Sequence, residues 1–265
     1  MLPVWLSDTV TTDLDRALHY THLWGLEGLA LRTLGRAGDR VPFVNEAKLR
    51  RRLAEHEMPV AAVSPGMFEG DVSDRIAWMN EIAAFEETLA FCRRIDCPLV
   101  LVSAFLPGAS VEAVAGALRS AGEAAARKGI VVGVRNEWAG AFPTARALAA
   151  VLDAVAHPAV RAAWSPAEAL RAGEPASAGV EVFRGRPAFV RCFDGTGKGE
   201  AWRPTPLGEG EVGWGDVLRR LRADGCEGPV CLEVTTEPRP RAGLRDATTL
   251  LRMLRAAERG AKGNG

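Results

Sequence analysis

The sequence predicts an α/β fold, a single (β/α)8 TIM barrel with its active-site mouth at the C-terminal ends of the strands. Three observations predict it. Short aliphatic runs alternate with longer amphipathic ones almost from end to end, eight of each order, as parallel strands joined by helical crossovers require. The 265 residues suit one such barrel. An open doubly wound sheet would carry a GxGxxG turn after its first strand, and none follows the first run here. No linker rich in Pro, Ser or Gly divides the chain, so residues 1–259 read as one domain and 260–265, GAKGNG, as a frayed tail.

The expected strands are LPVWL (2–6), GLALRT (28–33), VAAVS (60–64), LVLVS (99–103), IVVGVRNE (130–137), VRAAW (160–164), AFVRCF (188–193) and PVCLE (229–233). They are brief and do not alternate cleanly, as suits strands covered on both sides. Between them, NEAKLRRRLAEHE places Leu49 and Leu53 on one stripe with Asn45 as N-cap. SDRIAWMNEIAAFEETLAFCRR carries Ile76, Met79, Ala83 and Leu89, expected to face the core. SVEAVAGALRSAGEAAARKG opens on Ser110 and stops at Gly129, and TARALAAVLDAV follows Pro143. GDVLRRLRADG and LRDATTLLRMLRAAERG supply the last two helices. Residues 195–213 form one long irregular segment, and so long a loop after a barrel strand usually carries function.

Composition narrows the classes. Lys+Arg and Asp+Glu balance at 33 each, and no basic patch with interleaved aromatics occurs, which argues against nucleic acid as a partner. The five cysteines are odd in number and lack metal or redox spacing, so they read as buried thiols of a reducing compartment. No apolar run is long enough to span a membrane and no leader opens the chain, so the expected location is the cytoplasm. The four histidines, His19, His22, His56 and His157, fall on outer helices or at the amino ends of strands.

Strand ends carry the candidate chemistry, because a barrel presents its site there. They are Arg32, Ser64, Ser103, Glu137, Ser165, Arg191, Asp194 and Glu233. A glutamate ending an apolar strand needs a cation, a metal or a polar ligand. In WSPAEAL, Ser165, Pro166 and Glu168 form a capping box, which explains the serine without any chemistry.

RNEW (135–138), WSPAEALRAGE (164–174), FVRCFDG (189–195), PLGEGEVGW (206–214) and GPVCLEV (228–234) together resemble consecutive motifs of the xylose-isomerase-like TIM barrels, the sugar phosphate isomerase and epimerase family. The resemblance covers nearly the whole chain. It implies one divalent metal held by a Glu, an Asp, a His and a Glu at successive strand ends. Glu137 and Glu233 match the two glutamates, but Ser165 stands at the aspartate and Arg191 at the histidine, so the implied metal site is degenerate. No cofactor is expected, and a divalent ion (Mn, Mg or Zn) returns only if Glu168 or Asp194 compensates. Arg191 is expected to occupy the vacated position and pair with Glu137, Glu233 or both.

The resemblance implies proton transfer by Glu137 and Glu233 on a small polyhydroxy carbonyl or hydroxyacid compound. Arg191, in place of the metal, is expected to be the third catalytic group by stabilising the developing oxyanion. Arg32, Trp138, Ser165, Glu168, Asp194, Lys198 and Trp202 are the candidate substrate contacts, and Trp202 reads equally as a lid over the mouth or as loop packing. A non-catalytic, sugar-binding pseudoenzyme is the alternative. A zinc-dependent apurinic endonuclease is a third reading, opposed by the histidine positions. Whether the chain forms a homo-oligomer stays open.

Overall fold

The computed structural model describes residues 1–35, 39–184 and 186–262. Eight parallel strands close a barrel: β1 (Leu2–Leu6), β2 (Gly28–Leu31), β3 (Val60–Val63), β4 (Leu99–Val102), β5 (Val131–Arg135), β6 (Val160–Trp164), β7 (Phe189–Cys192) and β10 (Pro229–Leu232). Around the barrel they run β1-β10-β7-β6-β5-β4-β3-β2. All eight expected strands are present.

The helices α1 (Leu14–Trp24), α2 (Glu46–Glu55), α3 (Arg75–Arg94), α4 (Val111–Ala126), α5 (Ala145–Val155), α6 (Pro166–Arg171), α7 (Ala176–Phe183), α8 (Trp214–Ala223) and α9 (Arg241–Lys262) cover the outside. Caps set several starts: Asn45 accepts from the Lys48 amide at 3.0 Å and Ser110 from the Ala113 amide at 3.2 Å. Of the expected tail, residues 260–262 continue α9 and 263–265 lie outside the described residues.

Two expectations are corrected. In α3, Ile76, Met79 and Ala83 are exposed, while Phe85, Leu89, Phe91 and Cys92 are buried. Only the C-terminal half of α3 lies on the barrel, so the stripe that matters belongs to that half. The segment 195–213 is not irregular throughout. β8 (Asp194–Thr196) and β9 (Arg203–Thr205) pair antiparallel as a small hairpin on the mouth side of β7.

The core has two shells. Between strands and helices lies the larger, with Trp5, Phe85, Leu118, Leu148, Trp164 and Leu218 fully buried. Inside the barrel a smaller layer contains Leu6, Ala30, Ala62, Leu101, Ala163, Phe189 and Cys231. Gly133 faces this layer, since a Cβ there would press on Leu101 and Ala163. A strand's side chains repeat on one face every second residue. Two residues further along, the same inward phase therefore delivers Arg32, Ser64, Ser103, Arg135, Ser165, Arg191 and Glu233, a polar layer capping the apolar one.

Candidate active site

Arg191 and Glu233 meet at the tops of adjacent strands, where Cys231 pairs with Arg191 in the β10–β7 register. Arg191 Nε donates to Glu233 Oε1 at 2.7 Å and Nη2 to Oε2 at 3.1 Å, a two-point fork. Their side chains are 10% and 11% exposed, so the pair is nearly cut off from solvent. Burial alone would push the Glu233 carboxyl up. The charge and hydrogen bonds of Arg191, helped by Arg32 and Arg135, instead hold it below the usual glutamate value. Burial likewise opposes the charged form of Arg191, and Glu233 outweighs it, raising Arg191 above its ordinary value.

Arg135 is the site residue that strand-end reading passed over. It stands two residues beyond Gly133, in phase with the inward face, and that spacing was its only signal. Its Nη2 donates to Ser103 Oγ at 2.6 Å, and Ser103 donates to Glu137 Oε2 at 2.7 Å. Arg135 Nη1 lies 3.5 Å from Glu137 Oε1, and Nη2 lies 3.4 Å from Glu69. Burial lowers the pKa of Arg135, only partly offset by Glu137, and the like charge of Arg191 acts in the same direction. Glu137 is thus positioned by Ser103 and Arg135, not by Arg191, and its side chain is 32% exposed against 11% for Glu233.

Ser165 is fully buried and caps α6, its Oγ accepting from the Glu168 amide at 3.2 Å. The second half of the expected capping box does not form. Asn136 Oδ1 already accepts from the Ser165 amide at 2.7 Å, and Asn136 Nδ2 donates to the Ser165 carbonyl at 2.9 Å. The Glu168 carboxylate turns instead to the Trp138 amide at 2.9 Å. Above it the Arg171 guanidinium stacks 4.0 Å from the Trp138 ring centre, while Arg171 Nε donates to the Gly199 carbonyl.

Asp194 is 1% exposed and organises the loop. Its Oδ1 accepts from the amides of Gly195 at 3.0 Å and Val212 at 3.3 Å, and its Oδ2 from Gly208 at 3.0 Å. Burial raises its pKa against these amides. Trp202 packs into the same loop. It is buried, with its ring against Gly195, where a Cβ would overlap it. Lys198 is exposed on the loop joining β8 to β9. Arg32 reaches the mouth and pairs with Asp8 at 2.8 Å.

The residues present do not fit a divalent ion. Arg191 puts a permanent cation against Glu233, Ser165 is occupied as a cap, and both Glu168 and Asp194 are committed to backbone amides. Among the described residues no three His, Cys, Asp or Glu side chains gather as a metal would need. The histidines are elsewhere: His19 and His22 on α1, His56 just after α2, and His157 between α5 and β6. Among the described residues no helix is long and apolar enough to cross a membrane.

The family profile described as "Xylose isomerase-like TIM barrel" matches residues 19–256. No curated protein is matched by the sequence. Among solved structures, an L-ribulose 3-epimerase superposes with a TM-score of 0.81 at 15% identity, over 99% of this chain and 97% of the other. A 3-keto-D-glucoside 4-epimerase from E. coli gives 0.76 at 17% identity, over 95% and 99% of the two chains. The IolI protein with a bound zinc atom gives 0.74 at 13% identity, over 99% of each chain. At these identities the likeness is one of fold.

Proposed function

The chain belongs to the xylose isomerase-like TIM-barrel family, and from that premise we propose an isomerase or epimerase that works without the metal. Its substrate is a small polyhydroxy carbonyl or hydroxyacid compound bound at the strand ends. One observation carries this reading: a partly exposed carboxylate, Glu137, shares the mouth with two buried guanidiniums, those of Arg135 and Arg191. Glu137 is the base that removes a proton from the carbon beside the carbonyl. Arg191 faces the charge that develops on the carbonyl oxygen. Glu233 keeps Arg191 in place and, released from the fork, is the second group able to move a proton.

The test is exchange of substrate carbon-bound protons in D2O across a panel of aldoses, ketoses and hydroxyacids. Exchange by the wild type and its loss in Glu137→Gln are expected. Silence across the panel would sink the catalytic reading.

A second reading, a barrel that binds such compounds without transforming them, is favoured by the fork itself. A glutamate held ionised by a guanidinium is a weak base. In that case Glu137→Gln retains ligand affinity and the wild type shows no exchange.

A further inference from the structure

Two buried guanidiniums in this mouth are left with unused donors. Arg135 Nε and Arg191 Nη1 are both shielded from solvent, and neither has a hydrogen-bond partner among the described residues. Each side chain is at least nine-tenths buried. Both line one small cavity where the polar layer meets the apolar one, together with Arg32, Ser64, Glu233 and the inner residues Leu101 and Phe189. The cavity has room for about one oxygen atom.

Buried charged donors are rarely left unpaired, because the desolvation they suffer has nothing to offset it. The two arginines differ in how well they are compensated. Arg191 has the full fork to Glu233. Arg135 has two neutral hydroxyls, Ser103 at 2.6 Å and Ser64 at 3.5 Å, and carboxylates only at 3.4 and 3.5 Å, one of them the exposed Glu69. Burial also lowers its pKa, as expected of a cation short of counter-charge.

We propose that the cavity between Arg135 and Arg191 receives one oxygen of a carboxylate carried by the ligand, so that this mouth selects sugar acids or hydroxyacids over neutral sugars. The shape agrees with the charge. A planar carboxylate can insert a single oxygen between two guanidinium edges while its second oxygen stays towards the mouth. A phosphate could also present one oxygen, but it would bring roughly twice the negative charge up to Glu233, which lines the same cavity. The inference rests on the mouth being the ligand site, and it narrows that ligand's class.

Formate, the smallest carboxylate, is the probe, and formamide is its neutral counterpart. In the full chain labelled with 15N-arginine, the Arg135 Nε–H signal is identified by its loss in Arg135→Gln. Arg135→Lys serves the same purpose if the glutamine variant does not fold. Titration of the wild type is expected to shift this signal saturably with formate. Binding should exceed that of formamide by about tenfold, or ~1.4 kcal/mol. Phosphate should compete poorly.

No saturable shift with formate, or equal affinity for formamide, overturns the proposal. An identical shift with chloride at the same concentration also overturns it, by showing general anion screening. The outcome separates from the catalytic reading. A formate shift without proton exchange leaves the carboxylate site standing alone, whereas exchange on neutral sugars without a formate shift leaves only the chemistry.

Discussion

Replacing Arg191 with methionine keeps an unbranched apolar stem while deleting the guanidinium, its charge and its two bonds to Glu233. Both partners are about nine-tenths buried, so the loss strands a carboxylate in a nearly dry place. Breaking such a pair by removing one partner costs roughly 3–5 kcal/mol. For a domain of this size that corresponds to a fall in Tm of roughly 6–20 °C.

The pH dependence supplies the sharper signature. In the wild type Glu233 is held below its usual value. Its contribution is therefore present above the unfolded glutamate pKa of about 4.3 and lost as pH falls through the lower folded value. In Arg191→Met, burial dominates and raises the folded value instead. The variant then regains stability as pH drops through that raised value, and its deficit shrinks on acidification.

Urea denaturation of the wild type, Arg191→Met, Glu233→Leu and the double variant, near neutrality and near pH 4.5, measures both effects. The double variant should recover most of the loss, because two apolar side chains leave no stranded charge. Additive losses, or a deficit that does not change with pH, would refute the idea that the fork is the dominant electrostatic bond of the mouth.

Other outcomes follow from the same geometry. Asp194→Asn turns one acceptor oxygen into a donor facing an amide, and a loss of roughly 1–3 kcal/mol is expected. Faster hydrogen exchange at the Gly195, Gly208 and Val212 amides would localise it. Gly195→Ala drives a methyl into the Trp202 ring. It should cost roughly 1–3 kcal/mol, with a changed tryptophan fluorescence spectrum as the direct readout. Glu168→Gln keeps an oxygen for the Trp138 amide and should lose less than about 1 kcal/mol, whereas Glu168→Ala should lose about 1–3 kcal/mol by leaving that amide unpaired. A thermal melt of both variants separates hydrogen bonding from charge at this position.

The strands were legible because parallel barrel strands are short aliphatic runs whatever their tertiary partners. The Arg191–Glu233 pair was legible as well, since both residues end strands and carry opposite charge. Arg135 was hidden for the opposite reason. It lies inside an apolar run that ends two residues later in a more conspicuous carboxylate, and only the inward phase counted from Gly133 exposes it. The β8–β9 hairpin was hidden because a glycine-rich segment has no alternation to read, and a buried aspartate accepting loop amides does the work that side-chain patterning does elsewhere. Ile76 and Met79 misled because helical periodicity shows which residues share a face, but not how far along its length a helix stays on the barrel.

The amide of Asn136 has a consequence of its own. Its oxygen and nitrogen engage the Ser165 N–H and C=O as a neighbouring peptide group would, and so carry the β5–β6 ladder one rung past the last residue of β5. The main chain at position 165 is thereby pinned from outside, independently of the side chain it bears. A helix-capping residue with different chemistry can be exchanged there without loosening the strand tops. At such a position the side chain that caps α6 can vary while the backbone of the strand tops stays fixed.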